Sequence, residues 1–243
     1  MMITDALLLR ATDYRDADRI VTLFTRDAGR LSAIARGARG SKRRFSGALE
    51  PYAVIRVELS PKRGELYGLK SAEVTRSFPG ILTHLDRMDA AGAALALVRD
   101  AHRGEVSDAD LFLSVVQYLT LVEHQGDPQR DLLLCFALRV LYLMGIAPRL
   151  RACGRSGEEV PDGRSAYFDP ALGAVVARRF GGGPYLLTAR SRERLCASQT
   201  DAWIDAAQAP WEPEELASAR AAMAAFVRLH VSDALGSRLF PEG

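Results

Sequence analysis

The sequence predicts an α+β chain, with a small antiparallel β-barrel or sandwich over residues 1–79 and a helical domain over 80–243. Three observations predict it. Five short extended segments fall in the first eighty residues with no helix between them. At Phe78–Pro79–Gly80 the texture changes to Ala- and Leu-rich segments with helical spacing. Glycine and proline return over 148–188, which reads as a hairpin-bearing insertion in the helical part.

The first extended segment, "DALLLRATDY", sets Leu7 and Leu9 on one face and Leu8 on the other. "RIVTLFTRDAGRLSAIARGA" carries β-branched and aromatic residues on both sides of Asp27–Ala28–Gly29, a hairpin signature. In "YAVIRVELS", Val54, Arg56, Glu58 and Ser60 alternate with Ala53, Ile55, Val57 and Leu59. A Pro/Gly turn, "SPKRG", then leads into "GELYGLKSAEV" and carries Lys62 and Arg63. Short strands in this density close as a barrel or stack as a sandwich.

Beyond Gly80, Ile81, Leu82, Leu85, Met88 and Leu95 have helical spacing. A second helix opens with Ser107 as N-cap and Asp110 three residues on, a capping-box pattern with Asp for the usual Glu. The third, from about Gln129, is apolar on one face and stops at Gly145. The three are expected to form a bundle. "SAYFDPALGAVVARRF" predicts a hairpin turning at Asp169–Pro170, and "FGGGPYLLT" a flexible connector. Helix resumes at about Ser191. Glu212–Pro213–Glu214–Glu215 starts a last helix expected to run to Gly236, with proline in its first turn and acids at its positive end.

Composition narrows the class. At 48% hydrophobic and 26% charged, the chain can bury a real core. No apolar run approaches the roughly 20 residues of a membrane span, and the first residues lack a signal-peptide pattern. Three scattered cysteines make no disulfide framework, which fits a reducing cytoplasm, and no membrane contact is expected. Charge is uneven. Residues 1–80 hold 15 Lys/Arg against 9 Asp/Glu, whereas the remainder holds 17 against 21. The basic first third points to an anionic partner docking there.

Enzymatic chemistry finds no parts. The four histidines, His84, His102, His124 and His230, have no metal-ligand spacing, and an isolated helical histidine is ordinarily core or surface. There is no nucleophile elbow and no phosphate loop. No cofactor is therefore expected. A metal-dependent nuclease would need clustered acids beside the basic face, and "RGARGSKRRFSG" (Arg36–Gly47) has none.

That loop carries the functional signal. Arg36, Arg39, Lys42, Arg43 and Arg44 offer phosphate contacts, and the glycines allow close backbone approach. Lys62 and Arg63 add a second basic pair on the same barrel. Phe45 is the aromatic placed to stack on a base. The competing reading is a solvated hairpin loop.

The runs "DYRDADRIVTLFT", "GRLSAIARGAR" and "SKRRFSGALEPY" together resemble the N-terminal region of the RecO family of bacterial recombination mediators. "GELYGLKSAEV", "FPGI" and "LRVLYLMGIAPRL" extend the resemblance over most of the chain. It implies an N-terminal OB-fold and a helical domain with a small inserted zinc-type module. It also implies binding of single- and double-stranded DNA, strand annealing, and contact with RecR and the acidic C-terminal tail of single-stranded-DNA-binding protein. Loading of RecA onto coated strands would follow from those contacts. Many family members hold zinc with two Cys-x-x-Cys pairs. Here the matching positions are Cys153, Ser156, Ala177 and Phe180, and two of them cannot coordinate. The module is expected to survive without metal, with Phe180 filling the former site.

The sequence thus leads to a non-enzymatic, DNA-binding recombination mediator. The alternative is a protein–protein scaffold whose basic loop docks an acidic partner.

Overall fold

Alternating apolar residues drive the first five strands into a closed barrel. They are β1 (Met2–Tyr14), β2 (Asp18–Thr25), β3 (Gly29–Ala35), β4 (Ala53–Arg63) and β5 (Leu66–Ser77), in the order β1-β2-β3-β5-β4. The computed structural model describes residues 1–41, 43–45, 47–102, 104–124 and 130–240, with only the backbone of Arg63 and Arg130. Four of the five seams are antiparallel. The seam between β3 and β5 is parallel and short, Ala33 facing Tyr67 and Ile34 facing Gly68. This is the OB-fold strand order.

Period-two alternation sends Ala6, Leu8, Val21, Leu23, Leu31, Ile55, Val57 and Leu59 into the barrel. The neighbours of these residues are not all solvated. On the opposite face of β2, Phe24 is fully buried, packing against His102 and Phe112 at 5.1 and 6.0 Å between ring centroids. Helices therefore cover that side of the wall, which is why Leu7, opposite Phe24, is buried as well as Leu8.

One turn differs from expectation. "SPKRG" continues β4 to Arg63, and the reversal falls at Gly64–Glu65. Pro61 is accommodated because the register with β5 slips between Ser60 and Arg63, where no ladder bond is needed from it. Lys62 is thus a strand residue.

A 3-10 turn at Pro79–Thr83 leads into α1 (Leu85–Ala101) and α2 (Ala109–His124). The cap of α2 is Asp108, whose Oδ1 accepts the Leu111 N–H at 2.8 Å. Ser107, the expected cap, instead donates to the Arg26 carbonyl. The chain forms two compact units, Met1–Asp127 and Pro128–Gly243. Helices α1 and α2 fall with the barrel, so the three helices expected as one bundle are divided.

In the second unit, α3 (Arg130–Leu143) ends before Gly145, which takes the left-handed conformation at φ +70°. A four-stranded sheet follows in the order β6-β8-β7-β9, from β6 (Arg149–Cys153), β7 (Ala166–Asp169), β8 (Ala174–Ala177) and β9 (Tyr185–Leu187). The expected hairpin is β7–β8, its turn organised by Asp169 accepting from the Ala171 and Leu172 N–H groups. The expected connector is partly strand: Tyr185–Leu187 pairs with β7. Next come α4 (Ala189–Ser198), α5 (Trp203–Gln208), α6 (Pro213–His230) and α7 (Asp233–Leu239). The predicted last helix breaks at Val231–Ser232, where Ser232 caps α7 through the Leu235 N–H. Arg192 is buried at the base of the sheet and donates to the carbonyls of Leu150, Pro161 and Arg164. Among the described residues no helix is long and apolar enough to cross a membrane.

Candidate nucleic-acid interface

The basic loop is a fitted plug rather than a free turn. Phe45, Ala48 and Leu49 join the barrel core, and Phe45 is only 3% exposed. Burying them drags the flanking charges onto the wall. Gly37 turns at φ +66° with its N–H on Asp18 Oδ1 at 2.8 Å. The Arg44 carbonyl accepts the Ala72 N–H at 2.9 Å, carrying the loop along β5 where the β3 pairing has ended.

This path builds a concavity of about 600 Å³ beside the parallel seam. It is lined by Arg36 and Arg44 from the loop, Lys62 from β4 and Lys70 from β5, over a floor that includes Ile34, Leu66 and Leu69. Arg44 Nη2 donates to the Arg36 carbonyl at 2.8 Å, and its guanidinium stacks 5.2 Å from the Phe45 ring centroid. Cations brought round one hollow with an apolar floor suit a strand of phosphates whose bases lie against carbon.

Lys62 alone of these four has a carboxylate partner among the described residues. Glu105, between α1 and α2, takes Lys62 Nζ at 2.7 Å on Oε1 and the Tyr67 hydroxyl at 2.9 Å on Oε2. The Glu105 bond raises the Lys62 and Tyr67 pKa values, and the Lys62 bond, followed by that of Tyr67, lowers that of Glu105.

Of the residues expected from the sequence, Arg36, Arg44 and Lys62 converge. Arg43 is exposed outside the lining, and Arg39 turns away, its Nη1 on the Asp16 carbonyl at 3.3 Å. Lys42 lies outside the described residues, as does the side chain of Arg63. Phe45 is corrected: a ring closed into the barrel cannot stack on a base. Lys70 was missed. It is an exposed cation of β5 between Leu69 and Ser71, brought to the loop by the β3–β5 pairing and the Arg44–Ala72 backbone bond.

The sequence model of the family described as "Recombination protein O N terminal" matches residues 1–78, and that of "Recombination protein O C terminal" matches residues 82–239. The chain belongs to the RecO family. It is similar to the DNA repair protein RecO of Anaeromyxobacter sp. strain K, with 37% identity covering 96% of this chain and 93% of the relative. That of Myxococcus xanthus is 34% identical over 97% and 93%. That of Rubrobacter xylanophilus is 38% identical over 71% and 68%.

The metal positions implied by the RecO resemblance do not fit zinc. Cys153 ends β6 in a tight turn, its carbonyl accepting the Gly157 N–H at 2.8 Å. Its Sγ accepts the Ala177 N–H at 3.4 Å. Burial raises the thiol pKa, but the Ser156 hydroxyl and the N–H groups of Ala177, Ser156 and Arg155 outweigh it and bring it down to about 7. The knuckle of backbone donors around sulfur is present, but the donor set is one thiol, one hydroxyl and two hydrocarbons. Phe180 does not fill the site. Its side chain is exposed, with the Arg179 guanidinium 4.8 Å from the ring centroid.

Proposed function

We propose that this RecO family chain is a non-enzymatic DNA-binding mediator of recombinational DNA repair. The reading is carried by the convergence of Arg36, Arg44, Lys62 and Lys70 on one hollow of an OB-fold barrel. Guanidinium and ammonium groups there neutralise phosphates, which releases condensed cations and lowers the repulsion between complementary strands as they anneal. The barrel, residues 1–79, is the DNA-binding part. Contact with RecR and with the acidic tail of single-stranded-DNA-binding protein, and assistance to RecA loading, rest on the RecO resemblance and belong to the same proposal.

The test is fluorescence anisotropy with labelled single-stranded DNA across a salt series, comparing the wild type with an Arg36→Ala/Arg44→Ala/Lys70→Ala variant. Three lost phosphate contacts reduce the log–log salt slope by about 2, at roughly 0.7 per contact. An unchanged slope and affinity would return the hollow to the scaffold reading, in which it takes an acidic protein.

A further inference from the structure

We infer that Glu105 is a built-in phosphate surrogate that holds Lys62 out of service until nucleic acid displaces it. This inference rests on the reading of the hollow as the DNA site.

The segment between α1 and α2 is held on the barrel from both sides of Glu105. The Gly104 carbonyl accepts the Arg30 N–H at 3.2 Å, and Ser107 Oγ donates to the Arg26 carbonyl at 3.0 Å. Arg30 Nη1 also donates to the Arg99 carbonyl at 2.6 Å, where α1 ends. At Gly29 the fit is so close that a Cβ would come within 2.2 Å of the Val106 carbonyl oxygen. With its neighbours fixed, Glu105 has a short reach. Its two oxygens meet two donors, the Lys62 ammonium and the Tyr67 hydroxyl. A phosphodiester has two non-bridging oxygens and the same preference for these donors.

The contact is built to be displaced. The Lys62 and Glu105 side chains are 39% and 37% exposed, so water screens their attraction and the pair is weak. Arg36, Arg44 and Lys70 have no carboxylate partner among the described residues, so they form the initial attraction. A strand drawn into the hollow brings phosphate to Lys62 at high local concentration. Because Glu105 must then be released into solvent, Lys62 adds less to net affinity than a cation with no carboxylate partner would. It adds preference for ligands whose phosphates are continuous enough to hold the other cations at the same time.

The experiment pairs Glu105→Gln with Lys62→Ala, singly and together, in the same single-strand titration over salt. Glutamine keeps the shape and removes the charge. Glu105→Gln is expected to bind about two- to fivefold tighter, the worth of one exposed ion pair, with a slope steeper by about 0.7. Lys62→Ala should weaken wild-type binding by less than Lys70→Ala does and should erase the gain in the Glu105→Gln background. Glu73→Gln on β5, an exposed acid that is not among the charges acting on Lys62, controls for overall charge, and any gain there should survive Lys62→Ala. Equal or weaker binding by Glu105→Gln overturns the inference, as does a gain that persists without Lys62. If wild-type binding ignores the loss of Arg36 and Lys70, the hollow is not the DNA site and both readings fall. If it depends on them while Glu105→Gln is neutral, only the surrogate falls.

Discussion

Arg44 and Phe45 are chain neighbours that face opposite media. The guanidinium carbon lies 5.2 Å from the ring centroid, yet the arginine is exposed while the ring is sealed in the barrel. A loop that looks like solvated charge is therefore anchored by its aromatic residue. Phe45→Ala should cost about 3–5 kcal/mol in chemical denaturation, the usual loss for a core phenylalanine. Phe45→Leu should recover most of it. A base-stacking Phe45 would give the opposite pattern, with stability intact and affinity reduced.

Lys70 and Arg39 separate the hollow from the rest of the loop. Lys70→Ala should flatten the salt slope for single-stranded DNA by about 0.7. Arg39→Ala should change it less, because that side chain is drawn to the Asp16 carbonyl at the β1–β2 turn. Parallel titrations of the two variants decide between a localised site and diffuse attraction by the whole loop.

The barrel was legible because period-two alternation in "YAVIRVELS" and the hairpin around Asp27–Ala28–Gly29 are local signals. The RecO resemblance rests on contiguous runs and was legible for the same reason. What escaped depends on residues distant in sequence. Lys70 joins Arg36 across the β3–β5 seam, and Glu105 reaches Lys62 over 43 positions. Phe45 was misread because a glycine-rich basic context suggests solvent, whereas the ring packs with Ala48 and Leu49 in the barrel core. The α2 cap moved by one residue because Ser107 had a stronger use, anchoring its loop to the Arg26 carbonyl.

Gly29 carries the docking of the α1–α2 segment. Its φ of +65° disfavours any side chain, and a methyl group would collide with the Val106 carbonyl, which is backbone and cannot rotate away. Gly29→Ala should cost more than about 2 kcal/mol, beyond the 1–2 kcal/mol of left-handed strain alone. Thermal unfolding measures it. A loss no greater than that of Gly40→Ala, where a Cβ meets nothing within 4 Å, would mean that the segment yields and does not depend on this contact.

Cys153 retains the electrostatics of a metal knuckle without the partners, so the purified protein should carry no stoichiometric zinc. One tightly held equivalent by elemental analysis would overturn that. The same backbone donors make a pH signature. The folded thiol, at about 7, lies below the ordinary thiol value near 8.5, so the native state sheds this proton before the unfolded chain does. Its contribution to stability is full above the unfolded value and is lost as pH falls through 7. The stability difference between wild type and Cys153→Ser should therefore grow from pH 7 to about 8.5 and then level off. Ultraviolet thiolate absorbance should show one group titrating near 7, distinct from the buried Cys135, which is pushed up to about 12. Ser156→Ala removes one donor and should move the Cys153 titration upward. A thiol titrating at its ordinary value in the wild type would mean that the N–H groups of Arg155, Ser156 and Ala177 do not converge on sulfur in solution.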